Sequence, residues 1–453
     1  MGNKIHFNDF KVFNINGDNI VFDVENGEII RVDDRTLRLI RRNHLSKELL
    51  FEKSRIDFTY EEFEKLIKEM EDAHFVNYEE QRDVNSTYEK ENILGITLML
   101  VQGCNLACSY CFGDEGSYCD SGKMSKEVAF KSIDYLLEHS TSDTVLVTFF
   151  GGEPLLAIGL IKEIIKYCEG KEKKFKYSMT TNGTLLDNEI SGLIKKYNIS
   201  TIISIDGDEE KNNKNRFYKN GEGSYKETVE KSKILRNEYG VTARATLTPE
   251  NLDMVSIFEH LNQLGFKNVP MAPASNMITD LEYTDYIINE IKLIDYVAKL
   301  IKAKEYDKAR KLTFIYLGLL SLHQGVNKSF GCGAGIRDVA IDIHGDMYPC
   351  HRLVSHKETC IGNIYEDNDI NEQKREKYLS GVYVGKLREK SLCTNCWIRN
   401  FCAGGCVAEN YEENREVLTQ TPRECFHKQV FYEKLIILYA GMTENEKKEL
   451  FKE

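Results

Sequence analysis

The stretch GCNLACSYCF sets Cys104, Cys108 and Cys111 on a short loop directly after the apolar run ILGITLMLVQ. Thiolates grouped this closely suit a metal ion or an iron–sulfur cluster, and three are one fewer than a closed tetrahedral zinc site or a fully ligated cube uses. A cube held by three cysteines keeps one iron open to a small molecule. A second series runs Cys332, Cys350, Cys393, Cys396, Cys402, Cys406 and Cys425, and Cys119, Cys168 and Cys360 stand apart from both. The close pairs in CTNC and CAGGC, taken alone, would serve zinc at least as well.

Composition narrows the setting. The 453 residues suffice for two or three packed domains, and neither a repeat nor a disorder-prone composition is present. MGNKIHFNDF has no charged-then-apolar signal segment, and no uncharged apolar run reaches membrane-helix length, so the expected location is cytoplasmic, with no membrane partner. That compartment keeps thiols reduced, and thirteen cysteines therefore point to ligation or redox chemistry rather than to disulfides. The formal net charge of -12, with Lys and Arg dispersed among Asp and Glu, argues against nucleic acid as a partner.

The elements that must position the first loop follow from periodicity. From about residue 93, the apolar runs GITLMLVQ, TVLVTFF, KYSMTT, STIISID, VTARATLT and NVPMAPA alternate with amphipathic stretches such as KEVAFKSIDYLLEH and GLIKEIIKYCEG. Alternating strands and helices imply parallel strands with helical crossovers, as a barrel or a doubly wound sheet, and in a barrel function collects at the strands' C-terminal ends. The cysteine loop ends the first such strand. Before it, NDFKVFNINGDNIVFDVENGEIIRVD alternates between turn signals at Asn16-Gly17 and Asn26-Gly27, which predicts short antiparallel strands; DRTLRLIRR and YEEFEKLIKEMEDAHF read as helices. Residues 280 to 325 look helical. Beyond 330 the chain is irregular and rich in Cys and Gly, so cluster bonds are expected to hold much of it.

The spacing of three residues then two, with Tyr110 before the last cysteine, resembles the radical SAM superfamily, in which the open iron chelates the amino and carboxylate groups of S-adenosylmethionine. Strand ends downstream add to the likeness. FFGGEPLL is similar to the family's GGEP element, which implies that Gly151, Gly152, Glu153 and Pro154 meet the methionine amino group. Asn182 in TTNGTLL resembles a polar residue facing the site, Ser204 and Asp206 in SIDG resemble residues that address the ribose, and Arg244 in ARATLT resembles the arginine that meets the SAM carboxylate. Singly, these residues would more often be a turn, a helix cap or a surface ion pair; their succession at strand ends carries the resemblance.

The second cysteine series resembles the SPASM domain, the auxiliary-cluster module of peptide- and protein-modifying radical SAM enzymes. Carried over, Cys393, Cys396, Cys402 and Cys425 close one 4Fe-4S cluster, and Cys332, Cys350 and Cys406 belong to another. Relatives with full ligation have a further cysteine shortly before the first; LHQGVNKSF has none. Either an auxiliary iron is open or another residue fills it, and Cys360 is a candidate, as well as a plausible small core residue. Cys168, on an amphipathic helix, reads as core, and Cys119 as a neighbour of the first loop.

The resemblance implies an α/β fold: a partial (β/α)6 TIM-like radical SAM barrel, an N-terminal winged-helix-like α+β recognition domain and a C-terminal irregular iron–sulfur SPASM domain. The expected boundaries are 1–78 for a leader-peptide-binding domain, 79–92 for a linker, 93–275 for the barrel, 276–330 for a helical bridge, 331–430 for the SPASM domain and 431–453 for a C-terminal helix. The implied cofactors are S-adenosylmethionine and three 4Fe-4S clusters, one SAM-binding and two auxiliary. The implied partners are a ribosomal precursor peptide whose leader adds as a strand to a sheet edge of the N-terminal domain, and a flavodoxin or ferredoxin as electron donor, in an anaerobic or oxygen-protected setting. An open auxiliary iron would bind a substrate cysteine, and DIHGDMYPCHRLV is similar to the thioether-forming maturases of the sactipeptide and ranthipeptide type. The expected activity is therefore thioether cross-linking after hydrogen abstraction by a 5'-deoxyadenosyl radical. Carbon–carbon cross-linking, epimerisation and formylglycine formation are the alternatives within the enzyme class, and a non-catalytic iron–sulfur electron-transfer protein is the alternative outside it. Asp206, His344 and His351 are the candidate acids or bases, each more often structural.

Overall fold

The computed structural model describes residues 4–78, 93–325, 331–366, 371, 373–376, 378, 392–417 and 419–452. The linker expected at 79–92 and the last residues of the bridge, 326–330, lie outside them.

Residues 4–78 contain β1 (Lys4–Phe7), β2 (Phe10–Ile15), β3 (Asp18–Asp23), β4 (Ile29–Val32), β5 (Leu45–Ser46) and β6 (Val76–Asn77), arranged as two three-stranded sheets, β5-β1-β6 and β2-β3-β4. The β2–β3 hairpin turns at Asn16 and Gly17, both at positive φ, the conformation that an Asn-Gly hairpin turn demands. Helix Tyr60–Asp72 starts at a capping box of Thr59 and Glu62 and buries Phe63 and Ile67 against this unit's own small core. Part of β2 and β3 faces outward from that core: Phe13, Ile20 and Phe22 join the main hydrophobic core of the molecule.

That main core surrounds β7 (Gly95–Gln102), which is buried along its whole length. After it come β8 (Gly122–Lys123), β9 (Thr144–Gly151), β10 (Lys174–Thr181), β11 (Ser200–Ser204), β12 (Thr242–Leu247) and β13 (Met271–Pro273). Six of these run parallel in the order β13-β12-β11-β10-β9-β7, with β8 antiparallel beside the end of β7. Each apolar run named above forms one of the six parallel strands. Helices such as Lys126–His139, capped by Ser125 and burying Val128, Ile133 and Leu136, cover the sheet. Cys168 is buried on helix Ile158–Glu169, as its amphipathic position predicts.

Two features depart from expectation. The irregular segment after residue 330 contributes β14 (Asp338–Ile341), which pairs parallel with the free edge of β7, and then β15 (Asp346–Tyr348) and β16 (Gly362–Asn363) as an antiparallel extension. An exposed edge on the most buried strand would be costly, and β14 covers it. The C-terminal helix expected at 431–453 is two helices, Pro422–Ala440 and Glu444–Phe451, and the first begins early enough to carry Cys425. Pro422 at its first turn explains the start, since the missing N–H costs nothing there.

The two ends of the chain meet. Trp397 packs edge-on against Phe13 and Phe22, with ring centroids 5.5 and 5.8 Å away, and Phe401 lies 5.5 Å from Phe22. Arg399, only 4% exposed, pairs with Asp9 at 3.0 Å and Glu25 at 2.5 Å, and Asn400 donates to the Val24 carbonyl at 2.7 Å. These four residues lie between Cys396 and Cys402.

Candidate functional site

Cys104, Cys108 and Cys111 leave β7 at its C-terminal end, and neighbouring strand ends hold their loop in place. The Gly152 N–H donates to the Val101 carbonyl at 2.7 Å, and the Glu153 N–H to the Gly103 carbonyl at 3.1 Å. This approach explains the two glycines: Gly151 has φ +131, and a Cβ on Gly152 would stand 2.2 Å from the Gly103 oxygen. From the other side, Ala107 N–H donates to Phe217 O at 2.8 Å and Ser109 N–H to Asn215 O at 3.0 Å.

The three thiols line a cavity of about 390 Å³ together with Gly151, Gly152, Glu153, Asn182, Ser204, Arg244 and Tyr110. Within it the residues do different work. Glu153 is buried, and its carboxylate accepts from Leu155 N at 3.0 Å, Thr181 Oγ1 at 2.7 Å and Asn182 N at 2.8 Å, so it locks the ends of β9 and β10 together. Burial raises its pKa despite those bonds. Pro154 opens the buried turn Pro154–Ala157 behind it. Asn182 Nδ2 donates to Asn105 Oδ1 at 2.9 Å and lies 3.8 Å from the Cys104 sulfur. Arg244 makes no side-chain hydrogen bond or ion pair among the described residues, and burial lowers its pKa. A guanidinium left open to the cavity suits a carboxylate ligand.

Asp206 departs from its expected place. It is fully buried, and its carboxylate accepts from Tyr110 Oη at 2.6 Å and Thr246 N at 2.9 Å, so it braces the floor of the site and is not among the cavity-lining residues. Tyr110 is committed likewise, since its hydroxyl also accepts from Arg216 Nη1 at 2.7 Å.

The second series lines a cavity of about 260 Å³, with Cys332, Cys393, Cys396, Cys402, Cys406 and Cys425 in its wall. Burial pushes the Cys425 thiol up to about 12, with Cys402, Cys393 and Cys396 adding to the effect. Burial likewise pushes Cys406 up to about 12, and there Cys350 is the neighbouring thiol, as it is for Cys332. Cys350 lies beside His351, with sulfur and Nδ1 3.9 Å apart. All thirteen cysteines fall in the described residues and none forms a disulfide. Among those residues no three Cys, His, Asp or Glu side chains approach closely enough to hold a single metal ion. The donor sets, thiols gathered around cavities, have the chemistry that iron–sulfur clusters use.

Cys360 stands outside both sets. Its thiol donates to the Gly362 carbonyl at 3.2 Å, and it packs with Met99, Tyr348 and Val354 as a small apolar residue. Cys119 is exposed at positive φ on the loop after the first cysteines.

Comparison with known proteins agrees with this geometry. Residues 98–261, from β7 through the helix after β12, match the family model described as the radical SAM superfamily. These residues form a radical SAM domain. The family implies S-adenosylmethionine and a 4Fe-4S cluster. The enzyme is 24% identical over 423 residues to the radical SAM cyclopropyl synthase TigE of Paramaledivibacter caminithermalis, covering 84% of each chain. Its fold is similar to that of anSMEcpe with bound AdoMet and Cp18Cys peptide, with a TM-score of 0.63 and 20% identity over 77% of this chain and 100% of that one. It is also similar to Streptococcus suis SuiB bound to precursor peptide SuiA, with a TM-score of 0.50 and 16% identity over 92% of this chain and 99% of that one.

The candidate histidines separate. His344 is exposed and pairs with Asp120 at 2.8 Å, away from the enzyme's cavity. His351 lines the cavity between Phe150 and Phe112, and burial holds its imidazole down at about 4, hence neutral. Arg216, Arg352 and Glu412 also line it and were not singled out from the sequence. NNKNRF carries no periodicity that marks Arg216, and Arg352 becomes notable only because the segment after Cys350 folds onto the barrel mouth.

Proposed function

We propose that this enzyme is a peptide maturase that joins a cysteine sulfur to a carbon of a ribosomally made precursor peptide. The observation that carries the reading is the segment Cys350–Arg352. Cys350 neighbours Cys332 and Cys406, while the next two residues, His351 and Arg352, line the cavity of the first cysteine loop. These three thiols are read as a set against the SAM-side site, and Cys360, the candidate fourth thiol, bonds instead to the Gly362 carbonyl. When bound, S-adenosylmethionine and the clusters supply hydrogen-atom abstraction from unactivated carbon and a place for the electron removed. Cys104, Cys108 and Cys111 would hold one cluster, Cys393, Cys396, Cys402 and Cys425 a second, and Cys332, Cys350 and Cys406 a third. Arg244 would hold the carboxylate of S-adenosylmethionine, Ser204 would face its ribose, and Gly151 and Gly152 would leave room for its amino group. Neutral His351 packs against Phe150 and forms an uncharged stretch of the cavity wall.

The substrate exchanges one C–H and one S–H bond for a C–S bond and so loses two hydrogens. Residues 4–78 are read as the leader-binding unit, with the leader adding as a strand to an open sheet edge, and a flavodoxin or ferredoxin as the electron donor. The similarity to SuiB bound to its precursor peptide spans nearly the whole chain and supports a peptide substrate. Carbon–carbon bond formation is the second reading, favoured by the name of the relative TigE.

Anaerobic incubation of the reconstituted enzyme with SAM, a reductant and a cysteine-containing precursor peptide tests the proposal. Thioether formation gives a loss of two hydrogens per event together with loss of alkylatable thiols. The same mass loss with every thiol still free would overturn it in favour of carbon–carbon chemistry.

A further inference from the structure

Arg216 places a buried positive charge against the first cysteine loop. The backbone bonds from Ala107 to Phe217 and from Ser109 to Asn215, with the bridge between Leu106 and Tyr218, set Arg216 across from Cys108. The residue is 6% exposed and shares a cavity with all three thiols. Both of its ends are fixed. The Arg216 carbonyl accepts from Ser224 N at 3.2 Å and Ser224 Oγ at 2.9 Å, and Nη1 donates to Tyr110 Oη at 2.7 Å. Tyr110 in turn donates to Asp206, whose other oxygen takes the Thr246 N–H. The charge cannot swing out to solvent without breaking this chain.

We infer that Arg216 tunes the reduction potential of the cluster at Cys104, Cys108 and Cys111, as a positioning residue whose fixed charge stabilises the reduced form. One electron passes from a low-potential one-electron carrier to the cluster, whose core goes from 2+ to 1+ with no proton transferred. The added negative charge appears beside a guanidinium that is 6% exposed, and a buried cation is felt more strongly than one in water. Net charge and hydrogen bonding around the sulfurs are the protein's means of setting such potentials. Asp206 opposes the effect, but the tyrosine hydroxyl stands between it and the guanidinium. The inference concerns the SAM-cleaving site alone and holds whichever bond the product gains.

The test is electron paramagnetic resonance of the reconstituted holoenzyme at poised potentials, read on the signal that responds to added SAM. Wild type is compared with Arg216→Gln, Arg216→Lys and Tyr110→Phe. Arg216→Gln is expected to lower the equilibrium constant for reduction about tenfold, about 59 mV for a one-electron couple. Arg216→Lys restores most of it, and Tyr110→Phe, which removes only the tether, gives a smaller shift. The SAM dissociation constant of the oxidised enzyme should stay within about twofold. A wild-type potential in Arg216→Gln at full iron content would overturn the inference, and a wild-type potential with weakened SAM binding would make Arg216 a SAM ligand instead. Should Arg216→Gln lose its cluster, Arg216→Met takes its place, and a wild-type potential there at full iron content would overturn the inference as well.

Discussion

Cys104, Cys108 and Cys111 stand on one loop, held by backbone bonds to the ends of β7 and β9 on one side and the Asn215–Tyr218 segment on the other, with Asn105, Ser109 and Tyr110 adding side-chain bonds to neighbouring strand ends and that same segment. The seven later cysteines are spread from Cys332 to Cys425, and what gathers them is a set of turns, a short helix and the first turn of a long one. The stretch between Cys396 and Cys402 owes its outer support to the N-terminal unit, through Trp397, Arg399 and Asn400. The difference teaches where each site's order comes from. A parallel sheet organises the first site, whereas the stretch between Cys396 and Cys402 in the second region depends on side-chain contacts with a distant part of the chain.

Four experiments would break or sharpen this contrast. The largest effect belongs to the clusters themselves. Cys104→Ala should abolish SAM cleavage, while Cys393→Ala should keep a measurable fraction of uncoupled cleavage and lose all product; equal loss of both activities in Cys393→Ala would erase the division of roles. Next, Gly152→Ala forces a methyl against the Gly103 carbonyl, and a rigid backbone cradle cannot yield. It should cost roughly 3 kcal/mol or more locally and lower SAM cleavage at least about tenfold, whereas tolerance of the methyl, seen as wild-type 5'-deoxyadenosine release, would show that the cradle flexes.

On the other side of the comparison, Trp397→Ala removes the ring between Phe13 and Phe22 and should cost about 2 to 3 kcal/mol of docking. Hydrogen exchange should then rise about tenfold or more in β2 and β3 while β7 stays protected. Uniform exchange throughout the chain would mean that the two regions are one cooperative unit. The smallest effect concerns Asp338, at the start of β14. Burial pushes its carboxyl up to about 6; Oδ2 accepts from Thr97 at 3.3 Å and Oδ1 has no partner among the described residues. A carboxyl raised in the folded state binds its proton more tightly there than when unfolded, so stability falls as pH rises from about 4 through 6. Asp338→Asn should therefore gain about 2 kcal/mol at pH 7 and almost nothing near pH 4, read from denaturant midpoints. A gain independent of pH would assign the benefit to something other than the charge.

Much of the first site was legible because its residues are local to strand ends. A period of alternating strands and helices locates six C-termini; the cysteines, the two glycines, Asn182 and Ser204 each sit at or next to one, and Arg244 lies within β12. Asp206 was placed in the right neighbourhood with the wrong partner: adjacency in sequence puts it near a ligand, but its carboxylate is taken by the hydroxyl of Tyr110, which itself lines the cavity. β14 was unreadable because a four-residue strand, DVAI, carries too short a pattern, and its partner β7 lies more than two hundred residues earlier. The same holds for Cys360, whose neighbours are set by the β15–β16 turn and not by its distance from other cysteines.

Sequence by itself determined the chemistry of this protein: three thiols with a place left open, a series of seven more, and the strand and helix periods that build a parallel sheet. Those properties are local, set by residue type and by spacings of a few positions. Tertiary structure alone decided that Arg216 faces Cys108, that Cys350 backs onto the first cavity and that the N-terminal unit rests on the Cys396–Cys402 loop. Each depends on which apolar surfaces close against each other across hundreds of residues, and no spacing along the chain records that choice.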